Sequence, residues 1–346
     1  MKNYFAAANT PKGFFSFYDN LIDYDTAKTI ISLKGGSGVG KSTFMKQISS
    51  IAEQKGYDYD YVYCSSDKNS LDCVKIDCIN LVVLDGTAPH LVDPNYPGAV
   101  GEIVNLGRYL DKNKLLAYKD KIVEITLEKK KHYSMLYNSL AAAKSIYDNY
   151  KIINEPYIIN DELHNIANDI YYRFIENIET PKKPSSHRFI SALTPKGFFN
   201  FVDSLAKDKI VINLETTFYP CAKKIIALLL KKIDSELYTE QYHCVLEPDE
   251  VEHFIIGNVL VTTNHKDLTK YSYDLDTSCI NDKNEYAYNT LSNKQKELYE
   301  QVLLNAQQQL GVTQALHKEL EDIYISAMDF VDMNKEKTRI IEKIFE

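Results

Sequence analysis

The apolar residues of this chain come in two rhythms. Asn80-Leu81-Val82-Val83-Leu84-Asp85 is an unbroken apolar run closed by polar residues, and it predicts a strand buried on both faces. Thr29 to Lys34 and Tyr59 to Cys64 predict two more strands. Phe44, Ile48 and Ile51 recur at helical spacing, so Lys41 to Gln54 reads as a helix, with Gly56 placed to end it. Strand, helix and strand at these lengths predict a parallel sheet flanked by helices. From Arg108 to Glu155 there is no Gly or Pro. Leu115, Tyr118, Ile122 and Ile125, then Leu136, Leu140, Ala143 and Tyr147, share a helical face, which predicts one long helix or a helical hairpin. His164 to Ile178 predicts another helix, and Pro181-Lys182-Lys183-Pro184-Ser185-Ser186 a linker.

The pattern then starts again. Thr10-Pro11-Lys12-Gly13-Phe14-Phe15-Ser16-Phe17-Tyr18-Asp19-Asn20-Leu21 returns as Thr194-Pro195-Lys196-Gly197-Phe198-Phe199-Asn200-Phe201-Val202-Asp203-Ser204-Leu205, with nine of twelve residues shared. That is a duplication. The second copy predicts a strand near Ile210, a helix over Cys221 to Leu237, strands near Tyr242 and Val259, and helices across Leu291 to Glu346. Residues 1–180 and 189–346 therefore read as two domains of related build, joined by 181–188.

The copies differ where chemistry is expected. After its strand the first copy has Gly35-Gly36-Ser37-Gly38-Val39-Gly40-Lys41-Ser42-Thr43. This G-x-x-x-x-G-K-S spacing between a strand and a helix is the phosphate-binding P-loop pattern. Its glycines let successive N–H groups converge on an anion, and the helix start adds a positive dipole end. Lys41 supplies a charge for the β- and γ-phosphates, and the Ser42 hydroxyl suits Mg²⁺. At the matching place the second copy reads Glu215-Thr216-Thr217-Phe218-Tyr219-Pro220-Cys221-Ala222-Lys223-Lys224, with no glycine between Gly197 and Gly257. Its bulky side chains and Glu215 would block and repel a phosphate, so this copy is degenerate.

Asp85 closes the buried run, the position of a strand-end carboxylate that orients Mg²⁺. The residue after it is Gly86, where many ATPases have the glutamate that polarises the attacking water. The general base is thus open between Asp67, in Cys64-Ser65-Ser66-Asp67, and His90 or Asp93 in the proline-rich stretch after Gly86. The chain has only four arginines; Arg108 and Arg188 are the candidates for a cation at the transition state. In the second copy the Asp85 position falls on Thr262 or Thr263, which cannot hold a metal's charge.

Composition narrows the setting. A net charge of −8 over 346 residues argues against a nucleic-acid or membrane-surface protein. The six cysteines show no C-x-x-C pair; Cys73, Cys78 and His90 lack a fourth partner for zinc, which leaves free thiols in a reducing cytoplasm as the expectation. The start Met1-Lys2-Asn3-Tyr4 is unlike a signal peptide, and no apolar run is long enough to cross a membrane.

Four segments carry a family likeness: Thr10 to Asp19, Leu33 to Thr43, Cys64 to Asp67, and Asp85-Gly86-Thr87-Ala88-Pro89-His90 with its continuation Asp93 to Val100. With them the chain resembles a group of bacterial proteins, mostly of low-GC Gram-positive organisms, built from two tandem P-loop domains and described as ATPases or nucleotide-kinase-like. The resemblance implies ATP binding and names no substrate. The expected fold is α/β, two tandem P-loop NTPase-like (Rossmann-like) domains with parallel sheets and long helical segments. The expected function is Mg²⁺-dependent ATP hydrolysis at one site, with the degenerate copy in a structural or regulatory role. A kinase for a nucleotide or small metabolite, and a non-catalytic ATP sensor that binds a protein partner, are the alternatives.

Overall fold

The computed structural model of the protein describes residues 1–22, 27–87, 96–217, 219–268, 271–281 and 290–346. The first half forms β1 (Asn3–Tyr4), a hairpin of β2 (Ala7–Thr10) and β3 (Gly13–Ser16), then β4 (Thr29–Lys34) and α1 (Lys41–Gln54). It continues with β5 (Asp60–Cys64), β6 (Asp67–Ile76), β7 (Leu81–Asp85), β8 (Gly101–Asn105), α2 (Lys112–Ala117), α3 (Lys119–Asn154) and α4 (Asn160–Ile170). The second half gives β9 (Ser186–Phe189), a hairpin of β10 (Ser191–Thr194) and β11 (Gly197–Asn200), β12 (Ile210–Glu215) and α5 (Tyr219–Lys232). After these come β13 (Glu240–His243), β14 (Val251–Ile256), β15 (Val259–Thr263), β16 (Tyr271–Asp274), α6 (Leu275–Ser278), α7 (Thr290–Ser326) and α8 (Phe330–Phe345).

The duplication extends to the strand topology. One six-stranded sheet has the order β1-β5-β6-β7-β4-β8 and the other β9-β13-β14-β15-β12-β16. Strand for strand the directions agree: β6 and β14 run antiparallel to both neighbours, and every other pairing is parallel. The sheets are therefore mixed, not parallel as strand–helix–strand spacing predicted. The cause is β6 and its counterpart β14. A tight turn after Cys64 sends the chain back along β5, and β6 inserts between β5 and β7. Its first half, Asp67-Lys68-Asn69-Ser70, carries no apolar signal that would have marked it as a strand. The predicted linker 181–188 likewise contains the start of β9, which pairs with β13.

The four layers follow from side-chain alternation along the strands. In β7 the residues Val82 and Leu84 point inward and Leu81 and Val83 outward, as a period of two requires. Inward residues of the two sheets meet in one core: Ile30, Val62 and Leu84 of the first pack with Val211, Tyr242 and Leu260 of the second. Outward residues of each sheet pack on helices. Both faces of β7 are covered, which is why it reads as an unbroken apolar run.

The helices on those outer faces are exchanged. α1 is joined on the first sheet by α8 of the second half, whose Met333 and Ile340 pack among Ile31, Phe44 and Val83. On the second sheet α5 is joined by α4 of the first half, whose Leu163, Ile166 and Ile170 pack among Leu214, Ile225 and Val261. The crossing is made by α3 and α7, of 36 and 37 residues, each about 54 Å long. They lie antiparallel: Lys121 Nζ is 3.2 Å from Glu319 Oε1 near one end, His132 Nδ1 is 2.7 Å from Gln309 Oε1 nearer the middle, and Asn154 Nδ2 donates to Ser292 Oγ at 2.9 Å near the other end. Leu136, Leu140, Leu303 and Leu310 form their shared seam. Among the described residues no helix is long and apolar enough to cross a membrane.

Candidate functional site

The strand β4 ends at Lys34 and α1 begins at Lys41, so the glycine-rich turn occupies residues 35–40. Gly38 (φ 73°) and Gly40 (φ 82°) take left-handed conformations that side chains resist. Gly40 is the N-cap of α1, and its carbonyl accepts from Phe44 N at 3.0 Å. The helix is fixed by Phe44, Met45, Ile48 and Ala52 on its buried face; Ile51 is half-buried. Lys41 bends back over the turn. Its Nζ donates to Gly35 O and Gly36 O, both at 2.8 Å, and lies 3.5 Å from Asp85 Oδ2.

Asp85 reaches this point because β7 lies parallel beside β4, with Asp85 opposite Leu33. Its Oδ1 accepts from Thr87 N at 2.8 Å, while the Thr87 hydroxyl donates to Gly35 O at 2.9 Å. The turn, Lys41 and the end of β7 are thus one bonded unit. Ser42 Oγ accepts from Leu71 N at 3.0 Å, which fixes the hydroxyl at the helix start. Ser37, Val39 and Thr43 complete the predicted set: Val39 is buried beneath the turn, Ser37 is half-buried and Thr43 is exposed.

Gly86 has a structural reason to lack the glutamate. A Cβ there would overlap Ser32 Oγ and lie 3.2 Å from Lys34 Nζ, and that Nζ already donates to Gly86 O at 2.7 Å. No side chain fits. Asp67 opens β6, and its Oδ1 accepts from Asn69 N at 3.0 Å. Among the described residues no hydrogen bond or ion pair joins Asp67 to Lys41, Ser42 or Asp85. The neighbouring Cys64 thiol is pushed well up by burial and by Asp72, so it is held as the neutral thiol. His90 and Asp93 lie outside the described residues.

The two arginine candidates separate. Arg108 is exposed, with its guanidinium 5.5 Å from the Tyr109 ring centre. Arg188 is buried between the sheets, 4.4 Å over the Tyr4 ring, bonded to Ser186 Oγ at 2.9 Å and 3.6 Å from Glu240. It is a core residue and does not reach the turn.

Helices of the second half wall the turn, which the sequence did not signal. The Tyr324 ring lies against Gly36, and the Glu321 carbonyl and Ile325 lie so close to Gly38 that a Cβ would come within 2.9 Å of both. Lys337 Nζ donates to Gly40 O at 3.2 Å beside the Phe44 ring, and burial lowers its pKa to about 8. Near Glu321, His317 Nε2 stands 3.6 Å from Glu321 Oε1, and His317 Nδ1 is 2.8 Å from Lys129 Nζ of α3. Glu321 is held below the usual carboxylate range, mainly by His317 with Lys129 and Lys41 adding.

The second half shows what replaces the turn. Only residues 216–218 lie between β12 and α5. Thr263 stands opposite Leu214 as Asp85 stands opposite Leu33. The donors of this shorter turn are taken by a carboxylate of the chain itself. Asp276 Oδ1 accepts from Thr216 Oγ1 at 2.8 Å, and Oδ2 accepts from Thr217 N at 2.9 Å and Thr217 Oγ1 at 2.6 Å. Counted from the strand pairs, Asp276 stands where the first half has Gly107, whose N lies 3.2 Å from the Cβ that Gly35 lacks. At this place one half has a glycine and the other an aspartate whose carboxylate takes the donors of its turn.

No protein-family model, curated protein or solved structure matches the chain. The geometry of the turn is what bears on function.

Proposed function

We propose that residues 35–42 form a P-loop that binds ATP with Mg²⁺ and that the protein hydrolyses it, with one site per chain. The observation that carries this reading is the position of Lys41. Its ammonium sits on the carbonyls of Gly35 and Gly36 and 3.5 Å from Asp85, at the start of a 14-residue helix. A phosphate chain entering the turn would meet the N–H groups at the helix start and this point charge.

The donor set suits Mg²⁺, which takes one or two protein oxygens and completes its shell with phosphate and water. Ser42 Oγ and Asp85 Oδ2 are hard oxygen ligands, and each has capacity beyond the single bond it makes here. Bound there, the ion would draw charge from the phosphates as the terminal one departs. The second half, with Asp276 on its donors, binds no nucleotide in this reading and serves to wall the first site. The free cysteines suit a reducing compartment such as the cytoplasm.

Water is favoured over a metabolite as acceptor by the state of Arg188. Sites that clamp a phosphorylated acceptor use several arginines, and one of the four here is locked between Tyr4 and Tyr242. The test is ADP release from Mg-ATP by purified protein, alone and with nucleosides, nucleotides and sugars. Release without an acceptor supports hydrolysis. Release that needs an acceptor establishes the kinase, and tight binding without release establishes the sensor.

A further inference from the structure

We propose that Lys337, carried on α8 of the second half, is a second phosphate-binding cation of the glycine turn. The inference rests on the reading above and takes from it only that the phosphates of ATP enter the turn. It supplies what the arginine candidates do not, since Arg108 is exposed and Arg188 is locked in the core.

The first observation is where the ammonium itself lies. Lys337 Nζ donates to Gly40 O at 3.2 Å and is 3.1 Å from the place a Cβ on Gly40 would take. Gly40 caps α1, the helix whose first N–H groups are offered to the phosphates. Lys41 Nζ lies on the carbonyls of Gly35 and Gly36, where the turn begins. One ammonium therefore stands at each end of the turn, one from each half of the chain.

The second is what Lys337 lacks. It is only 3% exposed, and among the described residues its ammonium makes that one hydrogen bond and pairs with no carboxylate. An ammonium has three N–H groups, so two are unclaimed. It also sits at the positive end of a helix dipole, where a cation is disfavoured and an anion is favoured. Burial lowers its pKa only to about 8, so it is charged at neutral pH. A buried charge so placed is unfavourable until a counter-charge arrives. A cleft of about 340 Å³ between α1 and α8, lined by Lys337 with Gln47, Ser50 and Ile341, leaves the flexible side chain room to turn.

The third comes from the duplication. Counted from their N-caps Ile159 and Asp329, α4 and α8 bury matching positions: Leu163 with Met333, Ala167 with Lys337, and Ile170 with Ile340. Over the sheet that has no glycine turn the middle position is alanine. Over the sheet that has one it is lysine, in a stripe that is otherwise apolar. The charge goes with the turn.

The experiment compares wild type with Lys337→Met and the control Lys335→Met, by thermal melting without nucleotide and by calorimetric titration with Mg-ATP. Lys335 is exposed on the same helix and paired with Asp332 at 2.6 Å. Expected for Lys337→Met is a melting temperature at or above that of wild type, because an unpaired buried charge gives way to an apolar side chain of similar length. ATP affinity should fall by about tenfold, the loss of one charge-assisted hydrogen bond. A residue that only supported the fold would show the opposite pattern, a lower melting temperature with the affinity of the folded molecules intact. Lys335→Met should match wild type in both measurements. ATP affinity within twofold of wild type in Lys337→Met overturns this inference alone. So does a loss of affinity that comes with a lower melting temperature, or an equal loss in Lys335→Met. If wild-type protein binds no ATP, the reading beneath falls and takes this one with it.

Discussion

Phe5 and Phe189 pair with each other across the middle of the molecule: each N–H donates to the other's carbonyl, both at 2.9 Å. The spacing between them equals that between Thr10 and Thr194, so each residue meets its own duplicate. A residue that pairs with its counterpart in this way lies on a two-fold axis, as at the centre of a symmetric dimer. The chain is built as such a dimer in one piece, and its two turns have come to differ around that axis.

Lys41 carries the first prediction. Lys41→Ala should weaken ATP binding by at least tenfold, because it removes the charge that lies on the Gly35 and Gly36 carbonyls and the ion-pair partner of Asp85. The helix α1 should persist, since its buried face is unaltered. Calorimetric titration beside a thermal melt checks both halves of the statement. Unaltered affinity in a folded variant would remove the P-loop reading.

Gly86 gives a prediction about packing. Gly86→Ala should destabilise the protein by about 1–3 kcal/mol, since the new methyl would displace Ser32 Oγ and the Lys34 side chain, which bonds to the Gly86 carbonyl. The double variant with Ser32→Ala should recover part of that loss, because the two positions are in contact. Urea denaturation of the three proteins measures the coupling.

At the other turn, Asp276→Ala should cost about 1–2 kcal/mol, because it strips acceptors from the Thr217 N–H and the hydroxyls of Thr216 and Thr217. It should not create a nucleotide site, because no glycine turn exists there. Calorimetry should return one ATP per chain before and after the change. Two ATP per wild-type chain would show that the second turn binds phosphate after all.

His243 makes stability depend on acid. It is buried, its pKa held down to about 4 by burial and by the adjacent His187. Nδ1 lies 2.8 Å from Pro248 O, which can only accept, so this nitrogen carries the proton; the other nitrogen, 2.8 Å from His187 Nδ1, is left as acceptor. Protonation breaks that second bond. The unfolded chain takes up the proton at an ordinary histidine pKa of about 6.5, so stability is full above that pH and is lost as pH falls towards 4. The fall in unfolding free energy between pH 7 and 4.5 should be smaller by roughly 2–3 kcal/mol in His243→Gln than in wild type. Equal falls would refute it.

The sequence made α1 and the glycine turn legible because their signals are local. Apolar residues at helical spacing mark α1 at the bounds observed, and Gly56, with φ 74°, ends it. The run from Leu81 to Leu84 was legible as a strand with two covered faces for the same reason. β6 was not, because half of it is polar and its place is set by partners on both sides rather than by its own pattern. The helix exchange was invisible in principle. An apolar stripe on α4 or α8 says that a core will be covered, and nothing in the stripe says which one. Glu321 had no signal either: in the stretch Glu319-Leu320-Glu321-Asp322 it is one acidic residue among three, and only the fold brings it to Gly38.

The exchange of α4 and α8 ties the fates of the halves together. A cut between residues 181 and 185 would release no finished domain, since each fragment would carry away one outer layer of the other's core. Two such pieces made separately would each expose an uncovered sheet face, and would become whole only by finding one another. The same dependence bears on inheritance. The half without a glycine turn could drift in its own chemistry, but it could not be deleted, because the half that has the turn lacks a complete core or wall without it.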